Sequence, residues 1–409
     1  MLIKFILKFI SALFIVFISI SCTQKTDPLK QEIVFWHFWS EPYQRVEMNK
    51  LIKEFENENN CTVTVSELSW GDGKTKLLTA FSSNTAPDVL ELGSDWVAQF
   101  SSAGVLLELD KNEFDIDKFV DFSQAPCYWN DKIYALPWTV DTRVIFYNKD
   151  LFKQAGLAET PPTNYSEMLD YVSKINQIKD VYGFGANGSD EHRLYKKIVP
   201  MFWTYGGEVF DENMQPVLNS PENIQAMEMY AQLSRYGMIE TQRQLDAAFV
   251  QGKIGIWLSG GWLLKKIKNE NPDLNFGVTE VPGAGDKKGV SFAGGEYFAA
   301  NAKSKNPELA KKLLKYLTGG KTALEFCKQI TEAGFPADKN YYNDPYYNNF
   351  PDRLVFAKQL ENSRMTPVHP KWLSVEKIIE EKTVEVLYGK TDPQEALNKA
   401  QQETKQIIE

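Results

Sequence analysis

The sequence predicts an α/β fold in two lobes, and three of its features do so. Short apolar strands alternate with longer helical stretches, the pattern of βαβ units and parallel sheets. The chain has 409 residues; without a leader at residues 1–21 it still exceeds the ~250–300 residues at which a single core stops growing. The alternation also runs twice, on either side of a stretch, Leu136 to Phe152 (LPWTVDTRVIFYNKDLF), that reads as a crossover.

The first element is a leader. Lys4 and Lys8 flank the start of an apolar run from Phe9 to Ile20, and the small residue Ser21 precedes Cys22. The apolar run is shorter than the ~20 residues a bilayer needs, so residues 1–21 read as a secretory signal peptide rather than a membrane span. Cys22, followed by the polar Thr23 to Thr26, resembles a lipoprotein processing site in which Cys22 becomes the acylated first residue. Residues 22–31 are then the lipidated cysteine and a tether, and the protein is expected to be exported and lipid-anchored, facing the periplasm or exterior.

Glu32 to Trp39 reads as the first strand. Met48 to Asn60 follows as a helix, because Leu51, Ile52 and Phe55 fall on one apolar face. Cys61 to Leu68 alternates polar and apolar as a strand does, Lys74 to Ser83 is helical, and Pro87 to Leu92 is a buried strand. Beyond the crossover strand Val144 to Tyr147, Asn164 caps a helix reaching Ile178, with Glu167 at the capping-box position. Val181 to Ala186 is a strand, while Leu194 to Tyr205, bent at Pro200, and Pro221 to Tyr236 are helices. Lys253 to Leu258, Asn275 to Val281 and Tyr297 to Asn301 are strands. Pro307 to Leu317 is a helix with proline at its start and Gly319-Gly320 past its end.

Two further connections between lobes are expected, near Lys287 to Gly294 and within Ile330 to Phe335. Lobe 1 then comprises residues 32–138 and about 292–330, and lobe 2 residues 139–291 and about 331–409. Several short crossovers allow hinge closure, with a few loop residues absorbing the rotation.

Composition narrows the function. The formal charge is −9 at pH 7, and losing Lys4 and Lys8 with the leader makes it more negative, which argues against nucleic acid and anionic lipid surfaces. Besides Cys22 there are Cys61, Cys127 and Cys327, an odd set that allows at most one bridge within the chain. His37, His192 and His369 lie far apart and no Cys-x-x-Cys occurs, so no metal site is expected; nor is any cofactor, since no GxGxxG or Walker pattern is present.

The aromatics carry the positive signal. Most of the ten tryptophans lie at strand ends or loops beside Gly, Ser, Asp or Glu. Trp36, His37, Trp39 and Glu41 end the first strand, Trp70 the second, and Asp95 and Trp96 the third. In open α/β sheets, carboxyl ends of strands converge on the ligand crevice. Trp138 and Asp141 sit together in the crossover, where a ring stacks on a sugar's C–H face and an acid accepts its hydroxyls. Arg143 either reaches the same cleft or pairs with Asp141. For any single tryptophan the competing reading is core packing.

The crossover, with its Pro-x-x-x-acid-x-x-x-x-x-Tyr-Asn-Lys-Asp-Leu pattern (Pro137, Asp141, Tyr147 to Leu151), resembles the extracellular solute-binding proteins of carbohydrate ABC transporters, the maltose-binding-protein-like group. Gly255 to Trp262 resembles that family's strand ending in small residues and an aromatic. Phe202 to Glu208 resembles its helix-to-turn element, and Phe292 to Tyr297 its Gly-Gly turn into the second crossover. The resemblance implies a two-lobe periplasmic-binding-protein-like fold with a hinge and an interlobe ligand cleft. It assigns ligand contacts to Asp141, Trp203, Trp257 and Trp262, to Glu296, and to the backbone of Gly294 and Gly295; Trp372 is added as a late stacking surface. It further implies a monomeric receptor that hands a sugar or oligosaccharide to membrane permease subunits. A surface glycan-binding lipoprotein or sensor input is the alternative. A glycoside hydrolase using Asp141 and Glu296 is the enzyme reading, but the sequence has no Gly-x-Ser-x-Gly or His-Glu-x-x-His, so no enzyme is expected.

Overall fold

The computed structural model describes residues 30–188 and 190–409; the expected signal peptide, Cys22 and most of the expected tether lie outside the described residues. Two sheets organise the rest. The first has seven strands, in the order Phe335–Pro336, Ala135–Thr142, Ser291–Ala300, Val89–Gly93, Gln31–His37 and Cys61–Glu67, with Ser363–Arg364 added beside Ser291–Ala300. The second has five, in the order Phe276–Thr279, Val144–Asn148, Ile254–Ser259, Tyr182–Asn187 and Gly237–Glu240.

In each sheet the strands that alternate with helices run parallel, as in Ile33 opposite Val63 and Ile256 opposite Phe184. The long strands that cross between sheets, Ala135–Thr142, Val144–Asn148 and Ser291–Ala300, run antiparallel to their long neighbours, whereas the short Ser363–Arg364 runs parallel to Ser291–Ala300. Ala135–Thr142 ends in the first sheet and Val144–Asn148 begins in the second, so the first crossing falls at Arg143. The second enters the first sheet at Ser291. The third is Ser363–Arg364, which pairs with Ser291 and Phe292. The segment Ile330 to Phe335 instead stays with the first sheet, where Phe335 faces Val140. The three crossings are tied side by side: the Thr142 hydroxyl lies 2.7 Å from the Phe292 carbonyl and 2.9 Å from Ser363 Oγ, and Ser291 Oγ donates to the Arg143 carbonyl at 2.7 Å.

Local chemistry explains the elements. Asn164 Oδ1 accepts from the Glu167 amide at 2.9 Å and opens the helix Tyr165–Ile175. Glu167 reaches back to the amide of Thr163 rather than to its own cap. Pro200 stays inside the helix Tyr195–Tyr205. The sequence-based assignment leaves out Gln242–Val250 and Trp262–Glu270 and, towards the C-terminus, the long helices Gly320–Gln329, Pro351–Leu360, Trp372–Leu387 and Pro393–Ile408. Trp372–Leu387 packs against Tyr195–Tyr205 and Pro221–Ser234 beside the second sheet. Cys61, Cys127 and Cys327 are buried and none pairs.

Candidate functional site

A cavity of about 460 Å³ lies between the two sheets, within the range of small-molecule sites. Its first wall is built by strand ends of the first sheet. Trp70 is 39% exposed and stacks on Phe38 at 4.3 Å and 22°, while Trp96 meets Phe38 edge-on at 5.6 Å. Gly73 permits this, since a Cβ there would fall 2.4 Å from the Phe38 ring. The Phe38 amide donates to Glu91 Oε2 at 2.8 Å; burial, then the charge of Glu296, pushes the Glu91 carboxyl well above its usual range. Trp39 and Glu41 continue this wall.

The second wall centres on Trp262. Its indole N–H donates to Asp246 Oδ2 at 2.9 Å, and Asp246 Oδ1 accepts from Trp257 Nε1 at 2.7 Å, Ser259 Oγ at 2.9 Å and Gln242 Nε2 at 2.9 Å. Four donors around one buried carboxylate fix the tilt of the Trp262 ring. The Arg143 guanidinium lies 4.6 Å over that ring and pairs with Asp141, so it both reaches the cleft and is neutralised there. Gly260 is required beside it: a Cβ would sit 2.1 Å from the Trp262 ring.

The floor is the crossing pair of strands. Gly294 and Gly295 line the cavity but lie inside the strand Ser291–Ala300, opposite Asp141 and Val140. They do not form a turn with free amides; instead Gly294 makes room for Asp141, whose Oδ1 would be 2.5 Å from a Cβ. Glu296 accepts from Thr139 Oγ1 at 2.7 Å, and burial, then the Asp141 charge, pushes its carboxyl up to about 7. Across the cleft, the Tyr195 hydroxyl donates to Asp95 Oδ2 at 2.9 Å, linking the lobes.

Six sequence-predicted residues stand elsewhere. The strand pairing skips from Glu296–Thr139 to Tyr297–Pro137, which leaves Trp138 as the extra residue of a bulge; its indole is 1% exposed among Trp39, Phe298 and Phe326. Trp257 is fully buried, supporting Asp246 from beneath Trp262. Trp372 is 1% exposed and meets Tyr195 edge-on. Trp203 is buried under the Arg364 guanidinium at 4.8 Å. His37 is buried with Nδ1 accepting from the Trp39 amide, and burial, then Arg45, lowers its pKa to about 4. Trp36 packs against the core of its own lobe. Sequence reasoning missed Phe38, Asp246, Arg193 and Lys196, all lining the cavity. Asp246 was detectable as an acid on the buried face of the helix Gln242–Val250, and Phe38 by the rule of carboxyl strand ends, since it directly follows Gln31–His37.

Two lobes, three adjacent crossings and an aromatic cavity between them define a protein built to enclose a small solute. The chain belongs to the bacterial extracellular solute-binding proteins, whose family model matches residues 41–322, and such proteins are exported. It is 27% identical to the galactooligosaccharide-binding protein of Bacillus subtilis over 94% of this chain and 91% of that one. It is 26% identical to the maltodextrin-binding protein MdxE of the same organism over 85% and 84%. Among solved structures, the GacH receptor of Streptomyces glaucescens superposes with a TM-score of 0.83 at 23% identity, covering 93% of this chain and 99% of that one. Maltose-bound MalE3 of T. maritima superposes at 0.80 and 22% identity, covering 92% and 99%. These likenesses show the fold.

Proposed function

We propose that the protein is the substrate-binding receptor of an ABC importer, that it captures a sugar or oligosaccharide in the interlobe cavity, and that it is anchored through a lipid on Cys22. The observation that carries the reading is the pair of indoles on opposite walls, Trp70 and Trp262, with Asp95, Asp141 and Glu296 between them. Flat apolar faces beside hydroxyl acceptors suit a sugar ring. The names of the relatives, which bind galactooligosaccharide and maltodextrin, agree with this ligand class.

The test is a thermal-shift screen of the purified protein against mono- and oligosaccharides, polyols and amino acids, with product analysis on every hit. Stabilisation by one group of sugars without turnover is the expected result. Cleavage of a hit would establish a hydrolase, and stabilisation by amino acids alone would remove the sugar reading. For the anchor, Cys22→Ser is expected to move the protein from the membrane fraction to the soluble one; a variant that stays with the membrane overturns the lipid.

A further inference from the structure

Resting on the sugar-receptor reading, we propose that the solute is an acidic saccharide, a uronide whose ring carboxylate is held by Arg193 and Lys196.

The argument is a census of charge in the cavity. Five of the carboxylates on the cavity are already supplied with donors. Asp141 has Arg143, Asp246 has four donors, Glu296 has Thr139, Asp95 has Tyr195, and Asp190 accepts from Asn187 Nδ2 and the Gln242 amide. The cations are not matched in the same way. Arg143 is spent on Asp141 and Lys266 on Glu270, and Arg243 is exposed at the rim, where water solvates its charge. Arg193 and Lys196 line the cavity, and among the described residues neither side chain makes a hydrogen bond or ion pair. The neighbouring Lys197 is different, since it is buried and donates to Gln242 at 3.2 Å.

Lys196 is also held in place without a direct ion pair. Its ammonium rests 5.1 Å from the Phe292 ring centroid and 5.3 Å from that of Tyr195, contacts that favour a cation yet leave its N–H donors free. Burial, and then the charge of Arg143, lower the pKa of Arg193 against the pull of Asp190; Lys196 is lowered by burial against the pull of Asp95. Two partly buried cations without partners carry a desolvation cost that a neutral sugar's hydroxyls offset poorly. A carboxylate offsets it well, because the guanidinium fork matches it bidentately and the ammonium adds a charge-assisted bond. Asp95 and Glu376 lie near Lys196, so a singly charged group fits where a phosphate dianion would be repelled. The lining as a whole stays acidic, with eight Asp and Glu side chains to five Lys and Arg, so the cationic spot is confined to Arg193 and Lys196.

The experiment is calorimetric titration of the wild-type protein with uronide oligosaccharides of gluco, manno and galacto configuration, their neutral counterparts of equal length, and sulfated counterparts. The expected result is a uronide bound at least about tenfold more tightly than its neutral match, weakening as NaCl rises. In R193Q/K196Q the loss should be at least about tenfold greater for the uronide than for the neutral sugar. Lys196→Arg, which keeps the charge, should retain the preference, and melting curves check that each variant is folded. A neutral sugar bound as tightly as any uronide overturns the inference and leaves the receptor reading standing. Tighter binding of the sulfated sugar overturns the carboxylate, equal losses for both ligands in the double variant overturn the assigned residues, and no saccharide binding of any class overturns both readings.

Discussion

Two tryptophans five positions apart do different work, and their environments say which. Trp262 is partly exposed on the cavity, with its N–H fixed by Asp246 and one face under Arg143. Trp262→Ala should therefore weaken sugar binding by about 1–2 kcal/mol, roughly tenfold, the worth of a stack and part of a cation–π contact. Calorimetry on a variant with an unchanged melting curve reads this directly, and unaltered affinity would take Trp262 out of the site. Trp257 has no exposed surface. Its truncation leaves a cavity and removes one donor from Asp246, so Trp257→Ala should cost about 3–5 kcal/mol of stability. Denaturant unfolding is the measurement, and a midpoint equal to wild type would contradict the core placement. Residue type alone does not separate the two: both are indoles, one within the strand Ile254–Ser259 and the other opening the helix Trp262–Glu270 that follows it.

At the scale of elements, the strand Ser291–Ala300 carries the pH dependence of the cavity floor. Glu296 is raised from 4.5 to about 7 by burial and then by Asp141. A carboxyl raised on folding favours the fold fully below about 4.5 and loses that contribution as pH rises through about 7. Glu296→Gln, which keeps an acceptor for Thr139, should match wild type at pH 4.5 and be more stable at pH 8 by on the order of 1–3 kcal/mol. Chemical denaturation at the two pH values tests it, and a difference independent of pH would show that Glu296 titrates normally. His37, lowered to about 4, and Glu380, raised to about 7, titrate in both proteins and cancel in the comparison. The same strand shows how far the sequence can be read. Alternating strands and helices, with the rule of carboxyl ends, brought Trp39, Trp70, Asp95 and Trp96 to one cleft. The bulge at Trp138 and the strand context of Gly294 and Gly295 depend on pairing partners more than a hundred residues away in sequence, which no local pattern encodes. Arg193 and Lys196 escaped for a related reason: being unpaired is a tertiary fact. The helices Pro351–Leu360 and Pro393–Ile408, by contrast, carry a locally readable start, proline in the first turn.

For the whole molecule, the question is what sets the balance between open and closed lobes. The three crossings are bonded into one narrow band at Thr142, Ser291 and Ser363, so rotation about that band moves the cavity walls while each sheet stays intact. The Tyr195 hydroxyl spans the cleft to Asp95 at 2.9 Å, a bond that exists only when the walls are close. A hydrogen bond to a charged acceptor is worth about 1.5–3 kcal/mol. Tyr195→Phe keeps the edge-on packing with Phe292 and Trp372 and deletes only that bond. It should therefore move the equilibrium of the ligand-free protein toward the open form by about tenfold or more, and lower ligand affinity to the extent that the closed, binding-competent population falls. Small-angle scattering should show a larger radius of gyration for the ligand-free variant and the same compact form as wild type at saturating ligand. If the two ligand-free profiles coincide while affinity still drops, Tyr195 acts on the ligand and not on closure; if both are unchanged, the bond across the cleft has no part in either.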